Sequence, residues 1–212
     1  MNPKNIYYET LANTIIERLK VRQMEGYYCS TAEEAVKLAE SFVKAGDTVS
    51  FGGSMTISDT GLLSRLKERQ DIRLLDRSNA KTPEEIHEIY AGAFTADTYF
   101  MSTNAITTEG ELVNIDGNGN RVSALIWGPK QVIILAGMNK VCSTLEDAYR
   151  RVKNIASPPN CVRLNRKTPC AATGLCGDCY SPDCICSQTV ITRRSGTPGR
   201  IKIILIGETL GY

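Results

Sequence analysis

The chain has 212 residues, 42% of them hydrophobic and 23% charged, with a formal net charge of +2 and a sequence pI near 8.1. That length suits one domain with a small appendage, long enough to bury most of its apolar surface without cross-links. The near-balance of charge and the scattered Lys and Arg residues argue against a nucleic-acid partner, and no stretch approaches the ~20 apolar residues of a membrane span.

The N-terminus is polar and amphipathic and lacks the apolar core of a secretory signal. A cytoplasmic protein is expected, in a compartment that keeps thiols reduced. Its eight cysteines therefore read as metal ligands or redox groups before they read as disulfides.

Leu11, Ile15, Ile16 and Leu19 mark one face of an N-terminal helix, with Pro3 near its start. Residues 27–29 predict a short strand. Ser30 and Thr31 cap a helix whose face carries Ala35, Leu38, Ala39, Phe42 and Val43; Glu33 and Glu34 lie in its first turn, where the helix dipole favours acid. Residues 48–51 read as a strand, Gly52-Gly53-Ser54 as a turn, 56–67 as a helix and 73–75 as a strand, and Pro83 opens a helix through Ala93. This alternation predicts an α/β fold with a largely parallel sheet covered by helices.

Residues 98–101 and 112–115 read as strands flanking the turn Thr108-Glu109-Gly110, and Asp116-Gly117-Asn118-Gly119-Asn120 is a second turn. Residues 131–136 form an apolar run, as in a strand buried on both faces. Trp127 is assigned to the core. A helix over 145–155 is expected to stop at Pro158-Pro159. From 160 to 200 no periodicity is evident, and 201–206 is a last strand. The expected organisation is one α/β domain over 1–212, with 160–200 a loop insertion held by its own cofactor, since a structureless loop of this length is otherwise unusual.

That insertion holds six of the eight cysteines. Cys176 and Cys179 form a C-x-x-C pair, with Cys170, Cys184 and Cys186 close by, while Pro169, Gly174, Gly177 and Pro182 supply bends. Four thiolates suit tetrahedral zinc or an iron–sulfur cluster, and ligand softness does not separate the two. Cys170, Cys176, Cys179 and Cys186 are chosen as the ligands, with Cys184 spare. Cys29 and Cys142 fall on apolar elements as packed side chains, and Cys161 stays ambiguous. Arg163, Arg166 and Lys167 read as a solvated turn.

Gly52, Gly53, Ser54 and Thr56 lie between a strand and a helix, where free N–H groups make an anion site. The sequence is neither G-x-G-x-x-G nor a Walker motif, and a glycine pair that merely lets strand and helix pack weighs equally. Asn104, Thr107, Asn114 and Asp116 stand at strand ends, where α/β sheets bind ligands. Glu109 is the candidate nucleophile or general base. The single histidine, His87, lies in an acidic helix, which argues against a Ser-His-Asp triad. The expected partner is a small anionic ligand, a carboxylate or phosphate.

Taken together, these residues resemble the lactate-utilisation (LUD) domain family, close to its short stand-alone members. The resemblance is carried by Gly52-Gly53-Ser54-Met55-Thr56, by Ser102-Thr103-Asn104-Ala105-Ile106-Thr107, and by Gly110 with Leu112-Val113-Asn114-Ile115-Asp116-Gly117. Gly119-Asn120-Arg121-Val122, Gly128-Pro129-Lys130, Ala136-Gly137 and Lys167-Thr168-Pro169-Cys170 through Cys176, Cys179 and Cys186 continue it. It implies a fold similar to the ribose-phosphate isomerase and CoA-transferase-like proteins, with the ligand site at 52–56 and 104–116.

Some relatives belong to a system that oxidises L-lactate to pyruvate, in which partner proteins carry iron–sulfur clusters. The implied function is a redox or accessory role in oxidising lactate-like 2-hydroxy acids, with a thiolate-bound metal centre and a redox partner protein. The position of Cys184 is not always cysteine in the short members, which agrees with the four chosen ligands. The alternative is an isomerase/CoA-transferase-like enzyme, or a binding module, for a small anionic ligand with a structural zinc. Whether the chain is an enzyme or a homo-oligomer stays open.

Overall fold

A computed structural model describes residues 2–212. The first helix, α1 (Pro3–Val21), opens where the Asn2 side chain accepts the Lys4 N–H, with Pro3 in a first turn that needs no N–H partner. The strands β1 (Glu25–Cys29), β2 (Thr48–Phe51), β3 (Arg73–Leu75) and β4 (Thr98–Met101) alternate with α2 (Ala32–Ser41), α3 (Met55–Asp59), α4 (Leu62–Glu68) and α5 (Pro83–Ala93). Then come β5 (Ala105–Thr107), β6 (Leu112–Asp116), α6 (Asn120–Ile126), β7 (Gln131–Gly137), β8 (Val141–Cys142), α7 (Leu145–Arg151), α8 (Ser157–Arg163), α9 (Pro169–Thr173), β9 (Gln188–Thr192) and β10 (Ile201–Ile206).

The main sheet runs β1-β10-β7-β4-β2-β3, and every pairing in it is parallel. This is the expected α/β class. The central strands β7 and β10 are apolar on both faces because helices cover both. Their side chains alternate between two cores with the period of a strand. Ile134, Ile203 and Leu205 meet Ala12, Ile15 and Leu19 of α1. Ile133, Leu135, Ile204 and Ile206 meet α2 to α4 through Ala35, Ala39, Leu62 and Leu66. A second sheet, β8-β5-β6-β9, packs Ala105, Val113 and Ile115 on Ala148 and Val152.

Several expectations change. The helix over 56–67 is two helices, broken at Gly61, whose φ of 76° is left-handed. Pro158-Pro159 does not stop the helix over 145–155. A widened π turn (Val152–Ala156) joins α7 to α8, and the prolines sit in the first turn of α8. The segment 160–200 is not structureless: it contains the end of α8, α9 and β9, and β9 pairs antiparallel with β6. Trp127 is not in the core but 72% exposed, stacked at a tilt on Phe94. Among the described residues no helix is long and apolar enough to cross a membrane.

Candidate functional site

In an open parallel sheet, ligands bind beyond the carboxyl ends of the strands where neighbouring connections diverge. Here β2 leads outward to β3 while β4 leads towards β7. The loops after both strands border a cavity of about 390 Å³, together with residues following β3 and β7. Gly53 and Ser54 come from the β2–α3 turn and Thr56 from the start of α3, Ser102, Thr103 and Asn104 follow β4, Asp116 ends β6, and Lys140 follows β7. Further wall comes from the β6–α6 turn with Arg121, from Ile185 and Tyr212, and from α8 through Ser157, Asn160 and Arg163, with Arg166 just beyond.

Each sequence-selected side chain has a definite place. The Ser54 hydroxyl accepts the Ile57 N–H and so caps α3. α3 spans only five residues, so the charge of this site comes from side chains more than from a helix dipole. Gly53 leaves room for a cation: a Cβ there would run into the Arg77 guanidinium. Gly52 lies behind the wall, where a Cβ would be 3.0 Å from both the Tyr99 hydroxyl and Arg121 Cγ. Asn104 Oδ1 accepts from Ile115 N–H and Arg121 Nη2, both at 3.0 Å.

Asn114 is fully buried. Its Oδ1 accepts from Arg121 Nη1 at 2.6 Å, and its Nδ2 has no partner among the described residues. Asp116 accepts from the Asn118, Gly119 and Val122 N–H groups, closing the turn into α6. Thr107 is buried outside the cavity lining, bonded to Glu111. Glu109 is not brought to the cavity either. It sits on an exposed turn with its carboxylate 2.7 Å from Arg18.

The cations were not selected from the sequence. Arg121 is the hub: Nη1 donates to Ser102 O and Asn114, Nη2 to Asn104 and Ile115 O, and Nε lies 3.6 Å from Asp116. Burial pulls its pKa down, while Asp116 pulls it up. A guanidinium still stays charged, because its ordinary value lies so far above neutral pH. Lys140 is 4% exposed. Its Nζ donates to the Thr56 hydroxyl at 2.7 Å and the Ser102 hydroxyl at 2.9 Å. Burial first, then the positive charges of Arg151 and Arg121, push its pKa down to about 7; Asp59 opposes them weakly. Arg163 and Arg166, read as a solvated turn, line the cavity although exposed. Among the described residues neither Arg77 nor Arg163 forms an ion pair; they bond to Tyr90 and Asn160. The cavity is therefore cationic.

The cysteine segment folds against α8 around a second, small pocket of about 20 Å³. Cys170, Cys176, Cys179 and Cys186 line it, and so do Cys184 and Cys161. Cys161 sits on α8 behind the proline pair and is buried. All these thiols are free. The Thr168 hydroxyl lies 3.3 Å from Cys170 Sγ, and the Cys186 N–H donates to Cys184 Sγ at 3.3 Å. Burial pushes the Cys161 and Cys186 thiols up to about 11. Lys153 pairs with Asp178, the pocket's carboxylate. In kind, soft sulfur donors suit zinc or an iron–sulfur cluster. In position, no three His, Cys, Asp or Glu side chains among the described residues are arranged to hold a metal ion.

The two pockets share a wall. Ser157 lines both, and its hydroxyl is 3.6 Å from Cys186 Sγ. Ile185, between Cys184 and Cys186, faces the cavity and packs under Gly117, where a Cβ would be 3.1 Å from Ile185 Cα.

A family model described as the LUD domain matches residues 12–206. A DUF162 family protein from Deinococcus radiodurans superposes with a TM-score of 0.52 at 13% identity, over 94% of this chain and 98% of that one, and shares the fold. Ribose 5-phosphate isomerase A from Neisseria gonorrhoeae aligns with a TM-score of 0.33 at 15% identity, over 54% of this chain and 52% of that one. No curated protein matches the chain.

Proposed function

The chain belongs to the LUD domain family, and from that premise we propose that it serves the oxidation of lactate-like 2-hydroxy acids, in a redox or accessory role. In this reading the cationic cavity holds the small acid and Cys170, Cys176, Cys179 and Cys186 hold a metal centre. The observation that carries it is the shared wall: Ser157 touches the thiol pocket on one side and lines the anion cavity on the other. Arg77, Arg163 and Arg166 would hold the carboxylate, and Lys140 fixes the head of the cavity through Thr56 and Ser102.

A four-thiolate iron–sulfur cluster supplies one-electron transfer when bound, whereas zinc in the same place supplies a structural clamp. A clamp beside an anion seat would favour the second reading, an enzyme or binding module for a small anionic ligand. The deciding experiment is metal and sulfide analysis with an absorption spectrum on protein purified without oxygen. About four iron and four sulfide per chain, with a broad visible band, is the expected result. Zinc alone moves the assignment to the clamp. Protein with neither, keeping its fold unchanged, rules out the thiolate centre. Cys176→Ser and Cys179→Ser are expected to lose the metal, while Cys29→Ser keeps it.

A further inference from the structure

Lys140 stands apart from the other cations of the cavity. Arg121 and Arg151 are consumed by carbonyl and amide oxygens. Lys140 has no carboxylate partner among the described residues; its Nζ meets only the hydroxyls of Thr56 and Ser102. It is buried yet borders the open cavity. Charged groups face it from three elements: Arg121 on α6, Arg151 on α7 and Asp59 on α3. An amine desolvated beside other cations keeps a large neutral fraction at neutral pH, and a neutral amine is a nucleophile. The fall of its pKa to about 7 has that origin.

We propose that Lys140 is the carbonyl-reactive amine of the cavity and forms a reversible imine with a 2-oxo acid whose carboxylate is held by the cavity arginines. This rests on the reading of the cavity as the seat of a lactate-like acid and its oxidation product. The Nζ lone pair adds to the keto carbon, giving a carbinolamine. The carbinolamine oxygen is protonated and leaves as water while the nitrogen gives up a proton, so a C=N bond replaces C=O and no electrons are gained or lost. The hydroxyls of Thr56 and Ser102, at 2.7 and 2.9 Å from Nζ, are placed to carry those protons.

The test is reductive trapping on the full chain. Wild-type protein is incubated with pyruvate and borohydride, with L-lactate as the carbonyl-free control, and peptides are mapped by mass spectrometry. The expected result is one reduced adduct per chain on the peptide containing Lys140, none with lactate, and none at that site in Lys140→Arg. Wild-type protein without an adduct on Lys140, or with label spread over exposed lysines, overturns the proposal; this outcome does not depend on any variant folding. A sulfate titration followed by thermal shift runs in parallel. A shift that survives while trapping fails overturns the imine and leaves the anion cavity standing. Absence of any sulfate shift removes the anion reading itself.

Discussion

Arg121 places four N–H donors on oxygens from the β4–β5 loop and β6. A lysine cannot reproduce that planar fork. Arg121→Lys should cost about 3 kcal/mol, because buried acceptors are left unpaired; chemical denaturation checks it, and a loss below the error of the method would mean water replaces the fork.

Lys140 carries a pH signature. Its pKa is held near 7 in the folded chain against an ordinary 10.5, so between those values unfolding takes up a proton. The penalty for burying Lys140 is full below pH 7 and fades as pH rises towards 10.5. Relative to Lys140→Met, wild-type stability should rise by up to about 1.4 kcal/mol per pH unit across that window. Unfolding midpoints of both proteins at pH 6, 8 and 9 measure this; a flat difference means Lys140 stays charged.

At Gly53, alanine would displace the flexible end of Arg77 rather than backbone. Gly53→Ala should leave Tm nearly unchanged and weaken the sulfate-induced shift. Glycine and hydroxyl positions of this turn were legible because their chemistry is local. Arg121 and Lys140 were not. The hydroxyl partners of Lys140 lie 84 and 38 residues away, and although Arg121 bonds to residues only 6 to 19 positions back, no local spacing shows that its guanidinium turns inward to serve them.

The helical stretch from α7 through the π turn into α8 shows how an element can mislead. Pro-Pro reads as a stop because proline lacks an N–H, but a π turn leaves the N–H groups after it without the usual partner, and prolines lose nothing there. With the helix thought to end, Cys161 appeared to stand outside any element, and its place in the thiol pocket went unseen. The loop after α6 holds a stricter constraint. Gly128 has φ 117°, and a Cβ there would lie 2.8 Å from Phe94 Cα. Gly128→Ala should destabilise by roughly 3 kcal/mol, from strain plus backbone displacement; a thermal melt within a degree of wild type would contradict the close packing of this loop on α5.

On the scale of the molecule, the parallel sheet was readable from the strand–helix alternation of the first half, and the apolar run of β7 demanded the cover on both faces that it has. The second sheet was not readable, because β5 has three residues and β9 is largely exposed, so neither carries a burial pattern. The neighbourhood of the two pockets was equally hidden, since it depends on α8 continuing past its prolines.

That shared wall has a thermodynamic consequence. Ser157 and the stretch around Ile185 border both compartments, so if the proposed metal and the proposed acid are both bound, a shift of this wall by one would link the two equilibria. Whatever factor a bound metal applies to the affinity for the acid, the acid applies to the affinity for the metal. In the proposed reading, a chain stripped of metal by a chelator should bind the acid with an altered Kd, and acid-saturated protein should lose metal at a correspondingly altered chelator concentration. On that premise the cavity would report the state of the thiols, with acid supply and metal supply each biasing the other's occupancy.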